Sequence, residues 1–193
     1  MTRLGWVILA IIALAVAAFL SVTTFGGTRA PRPHAVASVP VAATAPGALA
    51  VPVAGVARRA IGDSWGDVRG GGTRAHHGTD IPAPAGTAVV AAAPGRIEKL
   101  FRSRLGGITL YVRSLDRRWT YYYAHLAGYA PGVHEGQAVR AGDPIGYVGD
   151  TGDAGPGNYH LHFGMARMRG DERWYQGEDV DPYPMLAGRG TAR

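Results

Sequence analysis

Residues 159–165 read Tyr-His-Leu-His-Phe-Gly-Met. Polar and apolar side chains alternate, the period of a half-buried β-strand and not of a helix. In a strand, residues two apart share a face. His160 and His162 therefore point one way, with Cα atoms about 7 Å apart, and Leu161 and Phe163 point into a core. Two imidazoles so placed address one site. Outward from this strand, short β-prone runs recur at 88–92, 95–101, 108–113, 119–125 and 145–148. Turn signals separate them at Pro94-Gly95, Gly106-Gly107, Pro131-Gly132 and across 149–157. This spacing predicts a mainly β fold, an antiparallel two-sheet sandwich or barrel-like domain.

Upstream, His76-His77-Gly78-Thr79-Asp80 is followed by Ile81 and Pro82. Gly78, Pro82 and Pro84 argue against a helix. In an extended segment His76, Gly78 and Asp80 share a face and His77 points away. Gly78 then leaves room for a metal between His76 and Asp80. A third element, Trp119-Thr120-Tyr121-Tyr122-Tyr123-Ala124-His125, puts Trp119, Tyr121, Tyr123 and His125 on one face by the same rule. Sheet packing is the plainer role for most of these aromatics. Tyr121, Tyr123 and Asn158 are the candidates for contact with a substrate. His34 and His134 lie apart from these clusters and are read as inert and surface residues.

Neutral imidazole and carboxylate are natural zinc ligands. Two histidines and one aspartate make three protein ligands and leave a fourth tetrahedral position for water, as in a catalytic zinc site. The histidines left over are suited to proton transfer at neutral pH.

The ends of the chain differ from this domain. Residues 6–25 are apolar, and at about 1.5 Å per residue they just span a hydrocarbon core of about 30 Å. Arg3 precedes them, so the expectation is an N-terminal transmembrane helix with a cytoplasmic N-terminus. A cleaved signal peptide is the alternative. Either way the rest of the chain is exported. Residues 26–57 are rich in Ala, Pro and Val; five prolines from Pro31 to Pro52 interrupt any regular element. They are read as a disordered, partly extended linker reaching on the order of 100 Å. The divisions are thus 1–25 anchor or signal, 26–57 linker, 58–187 folded domain and 188–193 disordered tail.

Composition narrows the function. There is no cysteine, which excludes disulfides, thiolate metal sites and cysteine nucleophiles. The net charge of +6 arises partly because every Asp and Glu lies after Arg59, and the later charges are scattered singly. No nucleic-acid partner is expected; mild positive charge suits an anionic wall or membrane. No H-E-x-x-H or G-x-S-x-G occurs. Residues 128–149 look like a segment of a lipoyl or biotinyl carrier domain. The sole lysine, Lys99, lies outside them, which rejects the carrier role.

Taken in order, H-x-G-x-D at 76–80, Tyr123-Ala124-His125-Leu126 and H-x-H at 160–162 resemble the lysostaphin-type zinc endopeptidases of peptidoglycan. The stretches DSWGDVR at 63–69 and GQAVRAGDPIGYVGDTG at 136–152 support the resemblance, which covers about 63–165. It implies one zinc ion on His76, Asp80 and His162, with His125 and His160 as catalytic histidines. The implied function is a zinc metalloendopeptidase that hydrolyses peptidoglycan stem-peptide cross-links or bridges. The alternative is a non-catalytic regulator of other wall hydrolases, as in relatives that have lost ligands. The implied place is the bacterial membrane, single-pass, with the domain on the periplasmic or extracellular side, or secretion after signal cleavage. One departure stands out. Many relatives run from a Thr-Gly-Ser/Thr-x-Gly-Pro stretch almost directly into H-x-H, whereas here 151–159 read TGDAGPGNY. Bond preference therefore does not carry over.

Overall fold

A computed structural model describes residues 49–189. In chain order the strands are β1 (Val68–Arg69), β2 (Arg74–Ala75), β3 (Thr79–Pro82), β4 (Ala88–Val90), β5 (Gly95–Ser103) and β6 (Gly107–Ser114). β7 (Trp119–Tyr129), β8 (Ala138–Val139), β9 (Pro144–Val148), β10 (His160–Arg167) and β11 (Glu178–Asp179) follow, then a short helix α1 (Tyr183–Leu186). All strand pairs are antiparallel. The mainly β expectation holds, but the two sheets are unequal: nine strands form one branched sheet, and β1 and β2 form a two-stranded ribbon.

β10 is central. It pairs with β7 along one edge and with β3, then β11, along the other. Its alternation is as the sequence predicts: Leu161 and Phe163 are fully buried and Met165 nearly so. They pack with Ile81, Ile97, Leu110, Tyr123, Leu126 and Ile145 in the core. Each such fully buried side chain contributes about 1.5–3 kcal/mol of hydrophobic stabilisation.

The long strands β5, β6 and β7 form a meander. The β5–β6 turn passes through Gly107 at φ 66°, and a Cβ there would lie 2.2 Å from the Thr151 hydroxyl, so only glycine fits. β7 is irregular. Leu110 pairs with Tyr123 and Ile108 with Leu126, so three residue steps on β7 face two on β6. The extra residue is a β-bulge, and His125 within it takes φ 59°, a left-handed conformation uncommon outside glycine.

The domain begins earlier than its composition suggests. Residues 49–57, read as the end of the linker, pack on it: Leu49 and Val53 are buried. Ala50 N donates to Ala92 O and Ala54 N to Ala88 O. Pro52 is tolerated because this is an edge, where one missing donor costs no ladder bond. The Arg58 guanidinium joins the first described residues to α1. It donates to Leu49 O (2.7 Å), to Met185 O (3.2 Å) and to Leu186 O. Gly188 and Arg189, expected in the tail, still cap α1, with Arg189 N bonded to Pro184 O at 2.8 Å. The predicted anchor, most of the linker and residues 190–193 lie outside the described residues. Among the described residues no helix is long and apolar enough to cross a membrane.

Candidate metal centre and flanking grooves

β3 and β10 bring the two histidine motifs together, because Asp80 is the cross-strand partner of His162. His76, just before β3, completes the group. His76 Nε2 lies 2.9 Å from His162 Nδ1 and 3.1 Å from Asp80 Oδ1, and His162 Nδ1 lies 3.2 Å from Asp80 Oδ1. Zinc bonds of 2.0–2.1 Å in a tetrahedron set ligand atoms about 3.3 Å apart. The triangle of donors is close to that size, so these three residues fit zinc. The glycine between the first two ligands makes room for the third: a Cβ on Gly78 would sit 2.6 Å from His162 Cε1.

The ligands are oriented from behind. His76 Nδ1–H donates to Ser64 O at 2.6 Å, which fixes the tautomer and leaves Nε2 as the ligand atom. The Ser64 hydroxyl accepts from Asp80 N at 3.0 Å, and Arg69 Nη2 holds the outer oxygen of Asp80 at 2.8 Å. His77 points away, as predicted, stacking on Trp65 and bonding Asp179 at 2.7 Å.

Two of the three ligands, Asp80 and His162, are shifted toward the protonation states a cation needs, and His76 is shifted the other way. Burial works against the Asp80 carboxylate, but hydrogen bonds from His162 and His76 outweigh it and hold its pKa far below the usual range. Burial lowers His162, with Asp80 opposing in part. Burial likewise lowers His125, opposed by its bond to Thr151. His76 is raised, because its bonds to Asp80 and the Ser64 carbonyl outweigh burial. A divalent cation among the donors competes with that proton.

His125 and His160 stand beside the triangle, their ring centroids 4.8 Å apart. His125 Nδ1–H donates to Thr151 O at 2.7 Å and His160 Nδ1–H to Asn158 O at 2.8 Å. Each ring therefore keeps Nε2 as its free acceptor; that of His160 lies 3.8 Å from Asp80 Oδ1. His134 is remote, bonded to Gly132 O within its own turn.

The tyrosine assignment is corrected. Tyr121 and Tyr123 are buried on the core side, and the Tyr123 hydroxyl accepts from Ala92 N at 2.9 Å. Tyr122 faces the site instead. The bulge is the reason: the extra residue at His125 brings it onto the face of Tyr122, so unbroken alternation from His125 back along the strand misassigns the tyrosines. Asn158 does border the site, though its amide braces the loop by donating to Ala154 O at 2.9 Å.

Two adjoining grooves, of about 550 and 690 Å³, share Arg69, Arg74, His76, Tyr122 and His162. One contains both flanking histidines, Asp153 and Asn158. The other runs along Tyr111 to Trp174 and Tyr175. Together they suit a peptide rather than one amino acid. Sequence reasoning missed Ser64, Arg69, Thr151, Tyr122 and Trp174. Ser64 and Arg69 stand in the quoted 63–69 stretch but carried no role there.

A fold of this kind, with a two-histidine, one-aspartate group and two histidines beside it, defines a metallopeptidase-type site. The sequence matches Peptidase family M23 over residues 74–182, and the chain belongs to that family. It is 40% identical over 129 residues to the L-Ala–D-Glu endopeptidase of Bacillus subtilis, covering 64% of this chain and 38% of that protein. It is 38% identical over 94 residues to the peptidoglycan DD-endopeptidase ShyC of Vibrio cholerae, covering 48% of this chain and 20% of that protein. The chain thus spans well under half the length of either relative. Among solved structures, the catalytic domain of the antimicrobial peptidase lysostaphin from Staphylococcus simulans is similar. It shows 29% identity and a TM-score of 0.53, over 65% of this chain and 90% of that one.

Proposed function

We propose that this chain is a zinc-dependent endopeptidase that hydrolyses peptide cross-links of bacterial peptidoglycan. The observation that carries the reading is the donor triangle of His76, Asp80 and His162, with two tautomer-locked histidines beside it in an open groove. When bound, zinc supplies Lewis-acid polarisation of the scissile carbonyl and lowers the pKa of water. The chain's own residues do the rest. His160 and His125 each present an Nε2 acceptor, so either can take the proton of the attacking water and, as the imidazolium, return that same proton to the departing amine. Arg69 keeps the outer oxygen of Asp80 occupied, so that Oδ1 faces the other two donors. The grooves hold the peptide to either side of the scissile bond. Zinc is the cofactor, and wall stem peptides or cross-bridges are the partners. The N-terminal apolar segment tethers the domain on the outer face of the bacterial membrane.

Digestion of purified peptidoglycan with zinc and with chelator, read by mass spectrometry, tests this. New peptide ends that appear only with zinc are expected. Intact wall material across several wall types, in the presence of zinc-loaded protein, would remove the proposal.

A further inference from the structure

The groove that runs away from the flanking histidines is a built surface. Trp174, on the segment between β10 and β11, packs edge-on against Tyr111 with ring centroids 4.7 Å apart, and Tyr111 lies 4.6 Å from Tyr122. The segment is pinned from below. Arg113 on β6 is buried, pairs with Glu98 at 2.6 Å and donates Nη2 to Glu172 O at 3.0 Å. Side chains of the segment close its own turns: Glu172 accepts from Arg169 N at 2.6 Å and Gln176 from Arg173 N at 2.7 Å.

The charges along this groove are unequally committed. Arg69 is held by Asp80, a metal ligand, at 2.8 Å. Asp179, the acid on this side, is taken by His77 at 2.7 Å. Arg74, which lines both grooves, has one side-chain partner, Asp153 of the histidine groove, at 2.8 Å, and both groups are half-exposed. A single-point ion pair in water is weak. A guanidinium that meets a carboxylate through two parallel N–H bonds is held better, and it has donors to spare.

We infer that this aromatic groove is a subsite for a stem-peptide residue bearing a free carboxylate. Arg74 exchanges Asp153 for that carboxylate, and Tyr122 and Trp174 hold the peptide beside it. The inference rests on the endopeptidase reading and narrows it, favouring anionic stem-peptide cross-links over uncharged glycine bridges. The carboxylate belongs to D-glutamate or to diaminopimelate, which share this chemistry.

The test is calorimetric binding to the zinc-loaded full chain carrying His160→Ala, which slows turnover about 10²–10⁴-fold. The probes are L-Ala–γ-D-Glu–diaminopimelate, the same peptide amidated at D-glutamate, the same peptide amidated at diaminopimelate, and pentaglycine. Loss of one carboxylate is expected to weaken binding about 10-fold or more, and the weaker amide identifies which carboxylate is read. Adding Arg74→Gln is expected to erase that preference with zinc content unchanged. Adding Trp174→Ala weakens the free acid and both amides alike. Equal binding of all four probes, or a preference that survives Arg74→Gln, overturns the subsite. Hydrolysis by the unsubstituted chain is scored separately. The preference without cleavage refutes the endopeptidase reading and keeps the subsite, and cleavage without preference does the reverse.

Discussion

His162 and Asp80 are cross-strand partners, and their side chains meet at 3.2 Å on the groove face of the β3–β10 pair. The metal group is thus set by strand register, and a one-residue slip of either strand would turn its own ligand into the core. His162→Ala is expected to lose stoichiometric zinc, measured by elemental analysis, and to bring wall hydrolysis to background. Circular dichroism should remain that of the unsubstituted chain, since His162 is not in the hydrophobic core.

Chelation should act in the same direction without a mutation. Removing zinc from the unsubstituted chain is expected to abolish hydrolysis and lower Tm, because ligand binding to the folded state alone stabilises it. Readdition of zinc should restore both. Hydrolysis that persists after exhaustive chelation would contradict the assignment of the site.

His125→Ala and His160→Ala should separate binding from chemistry. Each is expected to keep zinc and to lose about 10²–10⁴-fold in kcat, the usual range for a proton-transfer group. Zinc lost in parallel with activity would instead make the residue a ligand.

Gly78→Ala leaves every donor in place, yet its Cβ would fall 2.6–2.8 Å from the His162 ring and Phe163 O. The expected result is a loss of about 10–100-fold in zinc affinity, the size typical of disturbed ligand support. A zinc titration in competition with a fluorescent chelator measures it.

Arg113→Met leaves Glu98 without its buried partner. A destabilisation of about 3 kcal/mol is expected from urea unfolding, with the Trp174 wall loosened because the bond to Glu172 O is lost. Adding Glu98→Gln should recover part of the stability, since the stranded charge is then removed.

Where strands run straight, alternation grouped the candidate residues, while the choice of His162 over His160 as the ligand came from the resemblance. Alternation placed His160 and His162 on one face, put His76 and Asp80 together and turned His77 outward. It failed at His125, where one extra residue resets the period; a histidine at positive φ has no signal in composition. The same bulge explains why Tyr122, and not Tyr121 or Tyr123, borders the grooves. Gly78 was read as space for the metal and proves to be space for the His162 ring. Trp174 belongs to a segment of mixed polar residues without periodicity, and its place depends on the distant Arg113. Residues 49–57 carry a linker's composition but find an unfilled sheet edge, which only tertiary structure supplies.

The Arg58 guanidinium bonds Leu49 O, the first of the described residues, and Met185 O and Leu186 O near the last of them. The two ends of the described residues therefore lie side by side. A unit with adjacent ends can be spliced into a host loop, or its ends joined and reopened elsewhere, with little distortion of either part. By fastening those ends together, Arg58 gives the described residues the geometry that insertion or circular permutation requires.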